Sequence, residues 1–323
     1  MNVLRTLSDM KHVGLTASSC ALGMFDGIHV GHHAVLGSAL HHAQQLNIPS
    51  TVFSFAQHPQ FLLSSTPPEI LSSLDERLAI FESLGFDYAL ILDFDDSLKS
   101  RSAIDFVQTL LLDHLGVKNI SVGYDHCFGA GRQGDGAFLK QCGKEYGFNV
   151  EIIDPVRASF DGTQQIVSST LIRKLLRFGK ILHANALLGY EYRLTGSVKP
   201  GEQRGRKLGF PTANIQPPEF QLVPAVGIYS GIAILKNHAY KAVCNIGHCP
   251  TFGTQMPKRI EVHLLNYTGP EFYNESLTFQ FHQKIRDEET FESIDALTAQ
   301  IQADCDYARN SLHLNDIHDT PTL

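Results

Sequence analysis

Two histidines separated by Val-Gly close a glycine-rich segment, Gly23-Met24-Phe25-Asp26-Gly27-Ile28-His29-Val30-Gly31-His32. The apolar stretch Ser19–Gly23 precedes it, and His33–Leu46 follows with Ala34, Val35, Ala39, Leu40 and Ala43 at helical spacing. A strand, a glycine turn and a helix start in that order suit an anion site, and the bland alternative is a glycine turn with two incidental histidines. Glycine lets the backbone approach closely, and the helix N-terminus offers unpaired N–H groups. Two imidazoles there suit a phosphate, since phosphoryl transfer needs little beyond positioned donors and cations. A second cluster, Ser168-Ser169-Thr170-Leu171-Ile172-Arg173, reads as a helix start capped by Ser169 or Thr170 with Arg173 one turn on. A third runs Gly205-Arg206-Lys207-Leu208-Gly209-Phe210-Pro211-Thr212-Ala213-Asn214. Its glycines, with Gly201, suit a loop that closes over phosphates, and the Thr212 hydroxyl and Asn214 amide oxygen are hard ligands for Mg2+. Pro-Thr-Ala-Asn also suits an ordinary turn. Glu261 offers a carboxylate able to accept a hydroxyl proton, or simply one more polar residue on the solvent face of a strand.

The elements that must position these groups fall into two halves. In the first, strand signals at Thr51–Phe55, Tyr88–Phe94, Asn119–Gly123 and Asn149–Ile153 alternate with helix signals. Those helices open at Ser73-Leu74-Asp75-Glu76, at Ser102-Ala103-Ile104-Asp105 and near Gly136. This alternation predicts an α/β parallel sheet with helices on both faces, whose ligand site lies at the carboxyl ends of the strands. In the second half, Tyr190–Lys199, Gly227–Lys236, Tyr240–Ile246, Arg259–Tyr267 and Leu277–Ile285 alternate with period two, and Lys236-Asn237-His238 reads as a hairpin turn. Ile294, Leu297, Ile301, Cys305 and Ala308 then mark a final helix. An antiparallel β-barrel closed by a C-terminal helix is expected. We place the boundary between domains 1–183 and 184–323. The tail Asn315–Leu323 is expected to fray.

Composition narrows the class. The 323 residues carry a formal net charge of −7 with no dense basic run, which argues against a nucleic-acid or anionic-membrane partner. No apolar run approaches the ~20 residues of a membrane span, and Met1–Gly14 has no signal core, so a cytoplasmic protein is expected. Cys20, Cys127, Cys142, Cys244, Cys249 and Cys305 are scattered without CxxC pairing and read as reduced thiols.

With these segments in place, the chain resembles the bifunctional prokaryotic riboflavin kinase/FMN adenylyltransferase family from about Cys20 to Ala308, with the motifs in the family's order. The FDGxHxGH signature matches His29 and His32, and the SSTxIR motif matches Ser168, Ser169, Thr170 and Arg173. The resemblance implies a Rossmann-like nucleotidyltransferase domain in which these residues, with Gly23, Phe25, Asp26 and Gly31, hold ATP. GxPTAN preceded by a glycine flap implies a riboflavin kinase barrel with Gly205, Gly209 and Pro211 on ATP, Thr212 and Asn214 on Mg2+, and Glu261 catalytic. Asn245-Ile246-Gly247-His248-Cys249-Pro250-Thr251-Phe252 resembles the family's NIGxxPTF loop, and Ile285-Arg286-Asp287-Glu288 with Phe291 its LRxExxF loop. Arg286 and Glu288 are then expected beside the flavin, as are Asp125 and Phe128. Riboflavin, FMN, FAD and ATP are the implied partners, and the chain is expected to be a monomer or weak oligomer.

Three departures stand out. His126 and Cys127 replace the aromatic and Arg of a GxDFRFG segment, Met24 replaces a small polar residue, and Phe55-Ala56-Gln57-His58-Pro59 only partly matches an FxPHP turn. Two other readings remain at this point: a flavin-binding protein with a decayed adenylyltransferase domain, and a nucleotidyltransferase for another small phosphate.

Overall fold

The computed structural model describes residues 1–160, 162–201, 204–248 and 258–312, with the side chain of Arg204 left out. Two compact units divide the chain, the first ending at Ser169 and the second beginning at Thr170.

The first unit is built on a six-stranded, all-parallel sheet. Across it the strands run Asn2–Leu4, Tyr88–Leu92, Ser50–Phe55, Ser18–Leu22, Val117–Gly123 and Asn149–Ile153. Ser18–Leu22 and Ser50–Phe55 are buried on both faces except at Phe55, as a sheet covered by helices requires. The order of strands reverses between Ser18–Leu22 and Val117–Gly123, so the loops that leave these two strands flank the crevice where such sheets bind ligands. Helix Leu74–Ser83 carries the expected capping box between Ser73 and Glu76. Helix Gly136–Tyr146 opens where expected, and strand Asn149–Ile153 has the expected limits. The edge strand Asn2–Leu4 was not foreseen, because three residues are too few to show a period.

The second unit contains a closed antiparallel barrel of six strands. Around it come Arg193–Lys199, Ala213–Gln216, Lys258–Leu264, His238–His248, Gly227–Leu235 and Ser276–Arg286, which pairs back with Arg193–Lys199. Closure leaves no unpaired edge. Alternation sends Leu194, Ile215, Tyr229, Cys244, Val262, Phe279 and Phe281 to the buried face. On the opposite face Ile228, Ile232 and Val243 pack against Cys305, Ala308 and Leu312 of helix Ile294–Ser311 and its end. The expected apolar stripe of that helix holds except at Ile294, which is 68% exposed at the first turn. Lys236 (φ 50°) and Asn237 (φ 65°) form the expected hairpin turn, of the I′ kind whose twist matches the strands. Strand Ala213–Gln216 corrects the reading of Pro-Thr-Ala-Asn as a turn or loop. The strand has four of the five residues between Pro211 and Pro217, too short to show alternation.

Candidate active sites

The loop Gly23–His29 leaves the C-terminal end of the strand beside the reversal point and leads directly into helix Val30–Leu46. That helix starts earlier than expected, and His29 is its N-cap: the His29 Nδ1 accepts from the His32 N–H at 3.2 Å. Val30 and Gly31 have no intrahelical carbonyl to donate to, so their N–H groups are able to donate to an anion at the helix start. The rings of His29 and His32 stack, with centroids 3.6 Å apart and planes 14° off parallel. Phe25 meets the His32 ring edge-on at 5.4 Å. Burial, helped by the nearby His29, His33 and Arg77, holds the His32 imidazole well below its usual range, so the ring is neutral at pH 7. An adjacent phosphate would favour the charged form, which couples protonation to anion binding. The glycines leave little room for a side chain here. A Cβ at Gly31 would lie 3.1 Å from the His29 ring, and one at Gly23 would lie 3.0 Å from the Phe25 ring.

Asp26 is buried, and its Oδ1 accepts from the N–H groups of Leu71 (2.9 Å) and Ser72 (3.2 Å). Its role is therefore to tie the loop down. Ser169 Oγ donates to the Asp26 carbonyl at 2.9 Å. The helix there runs Ser169–Arg177, which puts Ser168 in the capping position, one residue before the expected cap. Arg173 is buried on this helix and Thr170 is exposed.

Across the reversal point, Tyr124–Gly129 leaves strand Val117–Gly123. Asp125 is exposed at the turn closed by His126 N–H to the Gly123 carbonyl (3.1 Å). Phe128 packs inward against Phe106 (5.1 Å between centroids) and Phe138 (6.1 Å). His126 stacks on Phe128 at 5.9 Å and 21°. Its flat ring thus occupies the place of the family's aromatic residue, while Cys127 is half-buried with a free thiol.

In the barrel unit the strand registers bring the predicted residues together. Asn214 pairs with Glu261, and Glu261 pairs with Asn245, so all three share one row on the outer face. Arg259, two residues along, sits 3.9 Å from the Glu261 carboxylate. Glu261 and Asn245 of this row line a cavity of about 300 Å³ between the barrel wall and the C-terminal helix, with Phe210, Ile228, Val243, Leu297 and Ile301 as its apolar lining. Arg286 and Glu288 also line it. Arg286 is clamped from Nε (3.0 and 3.2 Å) and Nη2 (2.8 Å) by the buried carboxylate of Asp304. Its Cζ lies 5.7 Å from the Phe291 ring centroid. Thr212 lines this cavity and also a second one of about 190 Å³, bounded by Val198, Leu264, Tyr267, Pro270 and Phe272.

Gly201 and Gly205 lie close to Asn214 and Phe210. A Cβ at Gly201 would collide with the Asn214 amide, and one at Gly205 with the Phe210 carbonyl. Gly209 adopts a left-handed φ of 86°. Arg206, in the short helical turn Arg204–Lys207, pairs with Glu271. The Pro211 carbonyl lies 2.7 Å from His263 Nδ1, which must carry its proton there to donate. A threonine hydroxyl and an asparagine amide beside a glycine cradle are a donor set suited to Mg2+. Asn245, His263 and Asp304 were outside the expected catalytic set. The period-two pattern places His263 on the Glu261 face, and an acid three residues after Ile301 and seven after Leu297, on the apolar face of the helix, was the available signal for Asp304. The predicted Cys249–Phe252 part of the NIGxxPTF-like loop lies outside the described residues.

Residues 13–171 match a family model described as FAD synthetase, and residues 188–312 one described as riboflavin kinase. A bifunctional riboflavin kinase/FMN adenylyltransferase of Pseudomonas fluorescens is 38% identical over 96% of this chain and 97% of its own length. Its namesake in Escherichia coli K12 is 34% identical over 94% of this chain and 96% of its own. A crystal structure described as a macrolide-efflux protein from Streptococcus pneumoniae superposes with a TM-score of 0.85 at 28% identity, covering 96% of this chain and 99% of that one. Two motif-bearing sites on two successive folds, each matched by its own family model, lead to one assignment: the chain belongs to the bifunctional riboflavin kinase/FMN adenylyltransferase family.

Proposed function

We propose that the chain phosphorylates riboflavin to FMN in a kinase domain, 184–323, and adenylylates FMN to FAD in a domain spanning 1–183, using ATP in both steps. The observation that carries the first step is the row Asn214–Glu261–Asn245 beside a cavity whose wall at Thr212 is shared with a second one. The larger cavity is near the lower end of the usual small-ligand range of ~300–1,000 Å³, and its apolar lining suits a flat isoalloxazine. The smaller one, with Tyr267 and Phe272, suits the nucleotide.

Glu261 accepts the proton of riboflavin's 5′-hydroxyl as that oxygen bonds to the γ-phosphorus and the bond to the β-phosphate oxygen breaks, releasing ADP. Thr212 and Asn214 would hold Mg2+, which supplies charge neutralisation to the phosphates when bound. Gly205, Gly209 and Pro211 belong to the flap over the triphosphate, while Arg286 and Glu288 border the flavin. In the sheet domain an FMN phosphate oxygen bonds to the α-phosphorus of ATP and pyrophosphate leaves. His29, His32 and Arg173 stabilise its charge, and Ser168, Ser169, Thr170, Gly23, Phe25, Asp26 and Gly31 shape the cradle. Asp125 and Phe128 form the FMN side. No base is needed, because the FMN phosphate is already anionic.

Among the described residues no helix is long and apolar enough to cross a membrane. We place the enzyme in the cytoplasm as a monomer or weak oligomer without nucleic-acid partners. The test is to incubate the purified chain with riboflavin and ATP-Mg2+ and to separate the flavins. His32→Ala is expected to accumulate FMN without FAD, and Glu261→Ala to stop FMN formation while supplied FMN is still adenylylated. Loss of both activities from either folded variant refutes the two-site division. FMN without FAD from the unmodified chain favours the decayed-domain reading, to which the loss of the motif's Arg at Cys127 lends its support.

A further inference from the structure

The sheet unit buries a cation that no step above uses. Arg77, on helix Leu74–Ser83, is 2% exposed. Its Nη1 donates to the Met24 carbonyl (3.2 Å) and Ser54 Oγ (3.0 Å), and its Nη2 to the carbonyls of Phe55 (2.9 Å) and Ala56 (3.0 Å). None of these four acceptors is a carboxylate. Burial pushes the guanidinium down to about 10, opposed by the nearby Asp26, so it stays charged at pH 7. An apolar side chain of similar volume would avoid the desolvation that this cation suffers, so packing does not account for it.

What Arg77 holds is the loop in front of His29. The backbone there is left-handed at Phe25 (φ 54°), Gly27 (φ 80°) and Ile28 (φ 31°), and two of these residues have side chains. Such conformations persist only where the surroundings over-determine them. Asp26 and Ser72 fasten the middle of the loop, the latter through Gly27 N–H to Ser72 Oγ at 2.8 Å. Its start is fastened by Arg77 together with Ser54, whose Oγ also donates to the Met24 carbonyl at 2.9 Å. The planar fork joins Met24 to the carboxyl end of the neighbouring strand, directly before the residue whose ring meets His32.

We propose that Arg77 is a positioning residue for adenylyl transfer, holding the Met24–Phe25 turn that sets the stacked His29–His32 pair and placing a fixed positive charge beneath the triphosphate cradle. This rests on the adenylyltransferase reading of the sheet domain. The test uses the full chain, with riboflavin phosphorylation as an internal control for an intact protein. Arg77→Met is expected to lower kcat/KM for FMN adenylylation about 100-fold, the scale of a ~1 Å misplacement. Arg77→Lys keeps the charge and loses the fork, so KM for ATP returns to its original value while kcat stays about 10-fold low. Ser54→Ala is expected to lower kcat a few-fold. In ring NMR, the His32 titration moves upward in Arg77→Met and stays in place in Arg77→Lys.

An unchanged kcat/KM in Arg77→Met, or the same KM for ATP in the Lys and Met variants, overturns the proposal. Should Arg77→Met not fold, unchanged kcat in both Arg77→Lys and Ser54→Ala overturns it equally. If the unmodified chain makes no FAD, the adenylyltransferase reading fails instead. The His32 titration then still decides whether Arg77 acts on that ring.

Discussion

His126 gives the sheet domain a pH-dependent stability that an aromatic hydrocarbon ring at this position would not. Burial first, then the charge of Arg132, pushes its imidazole down to about 4 from an ordinary 6.5, and its Nε2 is buried without a partner among the described residues. The unfolded chain therefore binds a proton below pH 6.5 that the folded chain refuses until about pH 4. Because the unfolded state binds more protons in that window, stability rises with pH through it and is lost as pH falls. The gap between 6.5 and about 4 corresponds to about 3 kcal/mol once both states are protonated, of which about 2 kcal/mol is lost between pH 8 and pH 5. His32 and His33 are depressed in the same direction, so the experiment must be a comparison. His126→Phe keeps the flat ring on Phe128 and removes the titration. Urea denaturation at pH 8 and pH 5, read by hydrogen exchange of peptides covering 117–128, follows this domain separately from the barrel. The unmodified chain should lose about 2 kcal/mol more than His126→Phe over that interval. Equal losses in the two proteins would refute the assignment of a buried, neutral His126.

Two further outcomes follow from contacts already described. Asp304→Asn halves the charge-assisted clamp on Arg286, and it should raise KM for riboflavin about 10-fold with little change in KM for ATP, measured by initial rates of FMN formation. Ser73→Ala removes the capping box of the helix that carries Arg77, and it should cost the sheet domain about 1 kcal/mol in a denaturant melt.

Much of the molecule was legible because its signals are local. The Ser73–Glu76 capping box, the Lys236-Asn237 turn and the alternation of Arg259, Glu261 and His263 each depend on neighbours within a few residues. Sequence pattern reads such short-range preferences directly. Motif order supplied the two families of chemistry for the same reason, since a glycine turn before a helix presents N–H groups in a geometry that suits a phosphate.

What the sequence determined by itself was therefore the kind of element at most positions and the chemical type of each site. The tertiary structure alone decided which groups meet. Asn214 and Asn245 flank Glu261 only because three separate strands take one register in a closed barrel. Ala213–Gln216 is a strand only because its neighbours supply the hydrogen bonds that four residues cannot provide for themselves. Arg77, on an ordinary capped helix, becomes a buried cation only when the strand ends at Phe55 and Ala56 and the loop at Met24 converge on it. Burial and register are properties of the assembled chain, and no local pattern encodes them.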